Sequence, residues 1–365
     1  MRNSSTDSGV SQTVIDKLIH GIKPASDEWR QRARQRLDTL TKPLGSLGGL
    51  EDIAAQVVAI RGAQFCESFS KAVYVFAADH GVTEEGVSAY PREVTRQMVL
   101  NFLSEGAAIN VLARKHGVAL HVVDVGVDWD FGAIPGLLHR KVRSSTRNML
   151  REAAMSEDEV EKALSVGYQL GDEAAAAGHT MIAIGEMGIG NTTAASAVTC
   201  AVTGAAAKLA TGKGTGVDPV AYANKVRVVE AAVGKHFDSS TTVPPVEILR
   251  RVGGLEIAAM AGLMLAGASH SLVVVLDGFI STAAAALAVG MAPNTRDYLI
   301  AGHCSEEPGH RILLDHLRLM PVLSLGMRLG EGTGAVLAMP VIESALALYH
   351  QMATFSSAGV SGATS

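Results

Sequence analysis

The chain has 365 residues, 48% of them apolar but only 4% aromatic, together with 38 glycines. Its formal net charge of −5 argues against a nucleic-acid binder, which would carry a basic field. No lysine/arginine run supplies a local basic stripe, and Arg30 to Arg36 (RQRARQR) reads as the solvated face of a helix.

The length allows one large domain or two ordinary ones. The glycine and aliphatic content favours close helix–sheet packing in an α/β enzyme. The N-terminus, MRNSSTDSGVSQTV, has no apolar signal-peptide core. Cys66, Cys200 and Cys304 are odd in number and lack a CxxC pattern. They point to a reducing, cytoplasmic setting and away from a disulfide framework or zinc site.

Asp27 caps an expected helix running through Arg36 and Leu40, and Leu50–Ile60 has amphipathic helical spacing. Thr41–Leu50 between them is either a turn-rich connector or a functional loop. Apolar strand runs follow at Ala72–Ala77, Ala119–Asp124, Thr180–Glu186 and Leu272–Asp277, with a shorter one at Pro321–Ser324. Their alternation with helical patterns predicts a parallel sheet with helices on both faces. Ligands gather at the carboxyl ends of such strands, where Asp79, His80, Asp124, Glu186 and Asp277 fall.

Ile257–Leu276 is long enough to imitate a membrane span. Its polar break at Ala268-Ser269-His270 instead predicts a buried helix, a turn and a buried strand. Ala335–Met352 reads as one apolar helix containing Pro340. The helices at the two chain ends are expected to pack as a small second domain, residues 26–65 with 331–352, beside a large domain of 66–330. Residues 1–25 and 353–365 are expected to be flexible.

Several segments carry candidate chemistry. Asp79-His80 invites a metal, but no third ligand has the required spacing. Ser88, Tyr90 and Gln97 offer neutral hydrogen bonds and an aromatic surface for a flat heterocycle, although Ser88 or Glu93 equally serves as a helix-start residue. Gly185–Thr193 (GEMGIGNTT) joins a strand to an alanine-rich helix. That junction suits an anion, yet matches neither a dinucleotide nor an NTP fingerprint. Lys213 to Lys225 could bring a cation to the same phosphate, or hold only surface lysines. His303 and His310 lack ligand spacing and read as structural or as supporting a site from behind its lining residues. Glu331, in Gly330-Glu331-Gly332-Thr333-Gly334, is either a helix-end acid favoured by the dipole or an enclosed catalytic base.

Eight segments in order, LTKPLGSLGGLE (40–51), AADHGVTEEGVSAYPREVT (77–95), GEMGIGNTTAAS (185–196), GKGTGVD (212–218), RVGGLEIAAMAG (251–262), LDGFIS (276–281), AGHCSEEPGH (301–310) and RLGEGTGA (328–335), resemble the nicotinate-nucleotide–dimethylbenzimidazole phosphoribosyltransferase family. The resemblance runs from about residue 30 to 352. It implies a homodimer with a Rossmann-like large domain and a small helical domain from both chain ends. The implied reaction moves the 5-phosphoribosyl group of nicotinate mononucleotide to 5,6-dimethylbenzimidazole, with inversion and without metal or cofactor.

By the family motifs, Glu331 is the general base and Glu186 assists or positions. Ser88, Tyr90 and Gln97 surround the benzimidazole. Gly188 and Asn191, with Lys225, lie near the phosphate or ribose. A kinase or dehydrogenase lacks its phosphate fingerprint here, leaving a non-catalytic nucleotide- or base-binding regulator as the alternative.

Overall fold

Six apolar runs pair into one sheet in the computed structural model, which describes residues 16, 19–64, 68–214, 216–238 and 242–361. The chain begins with helices α1 (Asp27–Thr39) and α2 (Gly49–Arg61), then strand β1 (Lys71–Ala78). Helices α3 (Val94–Leu103) and α4 (Ala108–His116) lead to β2 (Ala119–Gly126), β3 (Leu137–His139) and α5 (Glu157–Ala176). Next come β4 (Met181–Met187), α6 (Asn191–Thr203), α7 (Pro219–His236), α8 (Pro245–Val252) and α9 (Leu255–Ser269). The last part holds β5 (Val273–Leu276), α10 (Phe279–Met291), β6 (Leu299–Ala301), α11 (Pro308–Leu317) and α12 (Thr333–Gln351).

The strand order is β3-β2-β1-β4-β5-β6, and every pairing is parallel. This is a doubly wound, Rossmann-like α/β sheet. Central strands β1, β4 and β5 are buried almost throughout, which is why they read as unbroken apolar runs rather than alternating ones. The run at Ile257–Leu276 divides as expected into α9 and β5. Pro321–Ser324 does not form a strand; only Leu323 bridges, to His303. The edge strands β3 and β6 take its place, each three residues long and too short to show a period.

Helices cover both faces. Along β4, Ile182 faces α9, where a Cβ on Gly267 would lie 3.6 Å from its Cδ1. Gly185, an odd number of residues away and so on the opposite face, abuts the turn before α12. Glycines let α5 and α9 approach closely: a Cβ on Gly167 would overlap the backbone of Ala259, and one on Gly262 the backbone of Leu164. Gly167→Ala is therefore expected to cost about 1–3 kcal/mol, the usual penalty of overpacking. Thermal unfolding should show Tm lower by several degrees; an unchanged Tm would show that the helices separate freely.

The chain ends meet. Arg36 donates to the carbonyls of Tyr349 (2.7 Å) and His350 (2.9 Å), and Leu40 bridges to Thr354. α12 packs on α2 but also on α4, β4 and β5, so it covers the sheet as well as joining the terminal helices. Both expected flexible ends need correction in part. Ile22 and Ala25 are buried, and the Ala25 N–H donates to Asp297 (3.0 Å). Phe355–Ala358 forms a short helix whose start is capped by Thr354. Cys66 and residues 1–15 lie outside the described residues.

The N-cap of α1 is Ser26, whose hydroxyl accepts from the Trp29 N–H at 3.3 Å; Asp27 sits in the first turn. Among the described residues one helix, α12, is long and apolar enough to cross a membrane, and half of its apolar window (50%) is buried in the fold.

Candidate active site

The sheet reverses its winding between β1 and β4, and this switch point opens a crevice beyond the carboxyl ends of the strands. A cavity of about 620 Å³ lies there, the size of a typical small-molecule site. Tyr90, Glu186, Gly188, Asn191 and Glu331 line it. Five of the eight sequence-predicted site residues thus converge.

The other three do not line the cavity. Ser88 instead accepts the Tyr90 N–H at 3.2 Å, bracing the loop. Gln97 is exposed. Thr95, Val99 and Phe102 turn into the core of α3, which swings position 97 away and brings Val94 and Met98, one turn apart, to the cavity wall. Lys225 is 1% exposed and stands behind the wall, donating to the Thr192 hydroxyl at 2.8 Å. Burial lowers its pKa to about 8, against the opposing pull of Glu307.

The two glutamates arrive by different routes. Glu186 is the penultimate residue of β4; its carboxylate accepts a hydrogen bond from the Asn191 amide, at the start of α6. Burial pushes it well above the ordinary carboxylate range, and the charges of Asp277, Glu256 and Glu331 add to that. Glu331 sits in a left-handed turn, φ 64°, between Gly330 and Gly332, which are also left-handed. Its residue exposure is 5%, and its Oε2 has no hydrogen-bond partner. Burial raises its pKa, the backbone N–H of Ile109 at the start of α4 lowers it, and the charge of Asp277 raises it again; the net shift is upward.

Glycine at 330 and 185 is a close-approach requirement. A Cβ at 330 would lie 2.5 Å from Glu186 Oε1, and one at 185 would lie 2.5 Å from the carbonyl carbon of Glu331. The two carboxylate-bearing segments therefore touch through backbone.

Other strand-end acids hold the frame. Asp79 accepts the Asp128 N–H at 2.8 Å. His80 is paired with Glu256 at 2.6 Å in the interior. Asp124 accepts the N–H groups of Gly126 and Val127. His310 is structural, as expected: it bonds the Ser305 N–H and the Thr282 hydroxyl, and burial takes its pKa down to about 3. His303, expected to be structural or to support the site from behind, lines the cavity itself.

Thr192, Met187, Phe279 and Glu307 line it too, without having been singled out from sequence. Phe279 and Met187 read there as ordinary core residues. Thr192 lay within the Gly185–Thr193 segment, and Glu307, beside Pro308 at a helix start, carried a visible polar signal.

The arrangement places an under-hydrogen-bonded carboxylate in an apolar-walled cleft, across from a glycine loop that opens helix α6. It can accept a proton from one ligand while the loop receives the phosphate of another.

The chain is similar to known proteins over most of its length. A phosphoribosyltransferase family model matches residues 22–360. A relative from Geobacter sulfurreducens, named nicotinate-nucleotide–dimethylbenzimidazole phosphoribosyltransferase, is 50% identical over 95% of this chain and 98% of its own length. The chain belongs to that family. A relative of the same name from Desulforudis audaxviator is 47% identical over 96% and 99%. The crystal structure of CobT from Thermus thermophilus superposes with a TM-score of 0.88 at 49% identity, covering 92% of this chain and all of that one. Membership makes the chain an enzyme, a phosphoribosyltransferase, with the α/β fold described above.

The raised pKa of Glu331 has a consequence for stability. A carboxyl raised on folding keeps a proton that the unfolded chain has released. Its contribution to stability is therefore whole below the unfolded value near 4.5 and is lost as pH rises through the folded value. Relative to wild type, Glu331→Gln is expected to gain Tm as pH rises from about 4.5 through the folded value and to hold that gain above it, since histidine contributions cancel in the difference. A Tm difference that is flat with pH would refute a raised Glu331.

Proposed function

We propose that the enzyme transfers the 5-phosphoribosyl group of nicotinate mononucleotide to 5,6-dimethylbenzimidazole, giving α-ribazole 5′-phosphate and nicotinate. The relatives' shared name supports the substrates. The observation that carries the chemistry is Glu331: a buried carboxylate with one unpartnered oxygen, on a residue that lines a cavity of nucleotide size.

In this reading the bond from C1′ to the pyridinium nitrogen breaks, and its electron pair neutralises the ring nitrogen of nicotinate. The leaving group thus needs no protonating acid. A benzimidazole nitrogen supplies the pair for the new C1′–N bond from the opposite face, inverting the anomeric carbon. As it does so the second ring nitrogen becomes acidic, and Glu331 takes its proton. Burial suits Glu331 to this role because a raised pKa brings a carboxylate closer to the nitrogen acid it must deprotonate.

The phosphate lies against Gly188 and Asn191 at the amino end of α6, where the helix dipole favours an anion. Lys225 supports it through Thr192. Tyr90, Val94 and Met98 provide the flat apolar wall for the benzimidazole. Glu186, its pKa raised by burial and its carboxylate held by the Asn191 amide, positions or assists the reacting groups.

Nicotinate release from nicotinate mononucleotide, followed with and without added 5,6-dimethylbenzimidazole, tests the reading. Release that depends on the base supports it. Binding of both ligands with no release would favour a non-catalytic binding protein, and release without the base a hydrolase.

A further inference from the structure

Glu331 occupies a backbone conformation that a non-glycine residue does not hold unaided. Gly330, Glu331 and Gly332 have φ of 84°, 64° and 85°, three left-handed residues in succession. Such a turn persists only where its surroundings over-determine it. Helix α12, which begins immediately after it, has Gly332 as its N-cap and so no side chain of its own to accept the first-turn N–H groups.

The missing cap comes from another strand. Asp277, directly after β5, accepts the N–H of Gly332 through Oδ2 (3.1 Å), and those of Gly334 (2.7 Å) and Ala335 (3.2 Å) through Oδ1. It is 2% exposed. Local capping residues sit at the helix start itself. This one lies 55 residues upstream of Gly332 and ties the turn to the end of the sheet. The clamp is completed just after β6, where a Cβ on Gly302 would lie 2.9 Å from the Ala335 Cα.

We propose that Asp277 is a positioning residue for the reaction, holding the Gly330–Ala335 turn so that the Glu331 carboxylate faces the incoming base. The proposal rests on the reading of Glu331 as the general base. Asp277 acts through both geometry and charge. Groups around it are Glu331 on the turn, Glu186 on β4, which also feels the charge of Glu256 at the start of α9, and His303 after β6, whose Nε2 is 3.7 Å from Oδ1. Burial raises Asp277 itself to about 7, against the three N–H groups that favour its charged form. Its charge opposes ionisation of Glu331. Removing that charge eases ionisation, even as removing the hydrogen bonds loosens the turn.

The test is Asp277→Asn, measured for kcat, KM, pH dependence and Tm. The expected result is a fall in kcat of ~10- to 100-fold, the scale of a misplaced reacting group, with KM for nicotinate mononucleotide changed by less than about threefold. The acid limb of the kcat profile moves to lower pH. In a Glu331→Gln background the same substitution causes no further loss, because its target is gone.

A lower Tm with wild-type kcat and an unmoved acid limb would reduce Asp277 to a helix cap and overturn the proposal. So would an undiminished loss in the Glu331→Gln background. Full turnover by Glu331→Gln alone would instead remove the base reading and this proposal with it. Asp277→Ser, which keeps one oxygen acceptor for the helix start, is measured in the same way should the asparagine variant fail to fold.

Discussion

Glu331→Gln is expected to lower kcat by ~10²–10⁴-fold, the contribution a positioned general base makes, while affinity for either substrate changes little. The substitution preserves shape and leaves the left-handed turn to its glycine neighbours. It also removes no protein hydrogen bond from Oε2, which has none. The protein should fold as well as wild type or better, since one of several crowded buried carboxylates has gone. Steady-state turnover, paired with equilibrium binding of each ligand, checks this. An equal loss in binding and turnover would assign Glu331 to ligand attachment instead of proton transfer.

Gly185→Ala is expected to damage activity strongly while touching no ionisable group. The added methyl would press on the backbone of Glu331 and Gly332, and backbone cannot yield as a flexible side-chain tip can. Overpacking of this kind costs about 1–3 kcal/mol of stability. Displacing a reacting carboxylate by about an ångström costs ~10²-fold in rate. A fall of that order in kcat/KM, with circular dichroism unchanged, is the expected outcome. Near-normal kcat/KM would mean that the turn is free to shift without moving the carboxylate.

Much of this frame was legible in the sequence because burial on both faces writes itself as unbroken β-branched runs. Val73–Phe76, Ile182–Ile184 and Val273–Leu276 could hardly be anything but central strands. The carboxyl-end rule then gathered Glu186 and Asp277 before any coordinates. The edge strands β3 and β6 were missed, since three residues carry no period. Pro321–Ser324 runs beside the end of β6, where the Val322 and Leu323 N–H groups donate to Ala301 and Gly302, but its single bridge, Leu323 to His303, does not extend into a strand.

Site residues divided along similar lines. Glu331 and Glu186 stand in glycine loops whose pattern is distinctive. Gln97 belonged to a helix, where a rotation of about 100° per residue decides between cavity and solvent. Met98, next in line, faces the cavity but looks in sequence like any core methionine. The role of Asp277 was invisible for a different reason. A helix capped from a distant strand end shows only an ordinary Asp-Gly pair in one place and a cap without a side chain in another.

The central claim is that Glu331, ionised, takes the proton released by the incoming base. The pH dependence of kcat at saturating substrates, compared between wild type and Glu331→Gln, tests it most directly. The wild-type rate should rise with pH through a carboxyl raised above its ordinary value of 4.5, and the residual rate of the glutamine variant should lack that limb. The same acid limb in both enzymes would contradict the account.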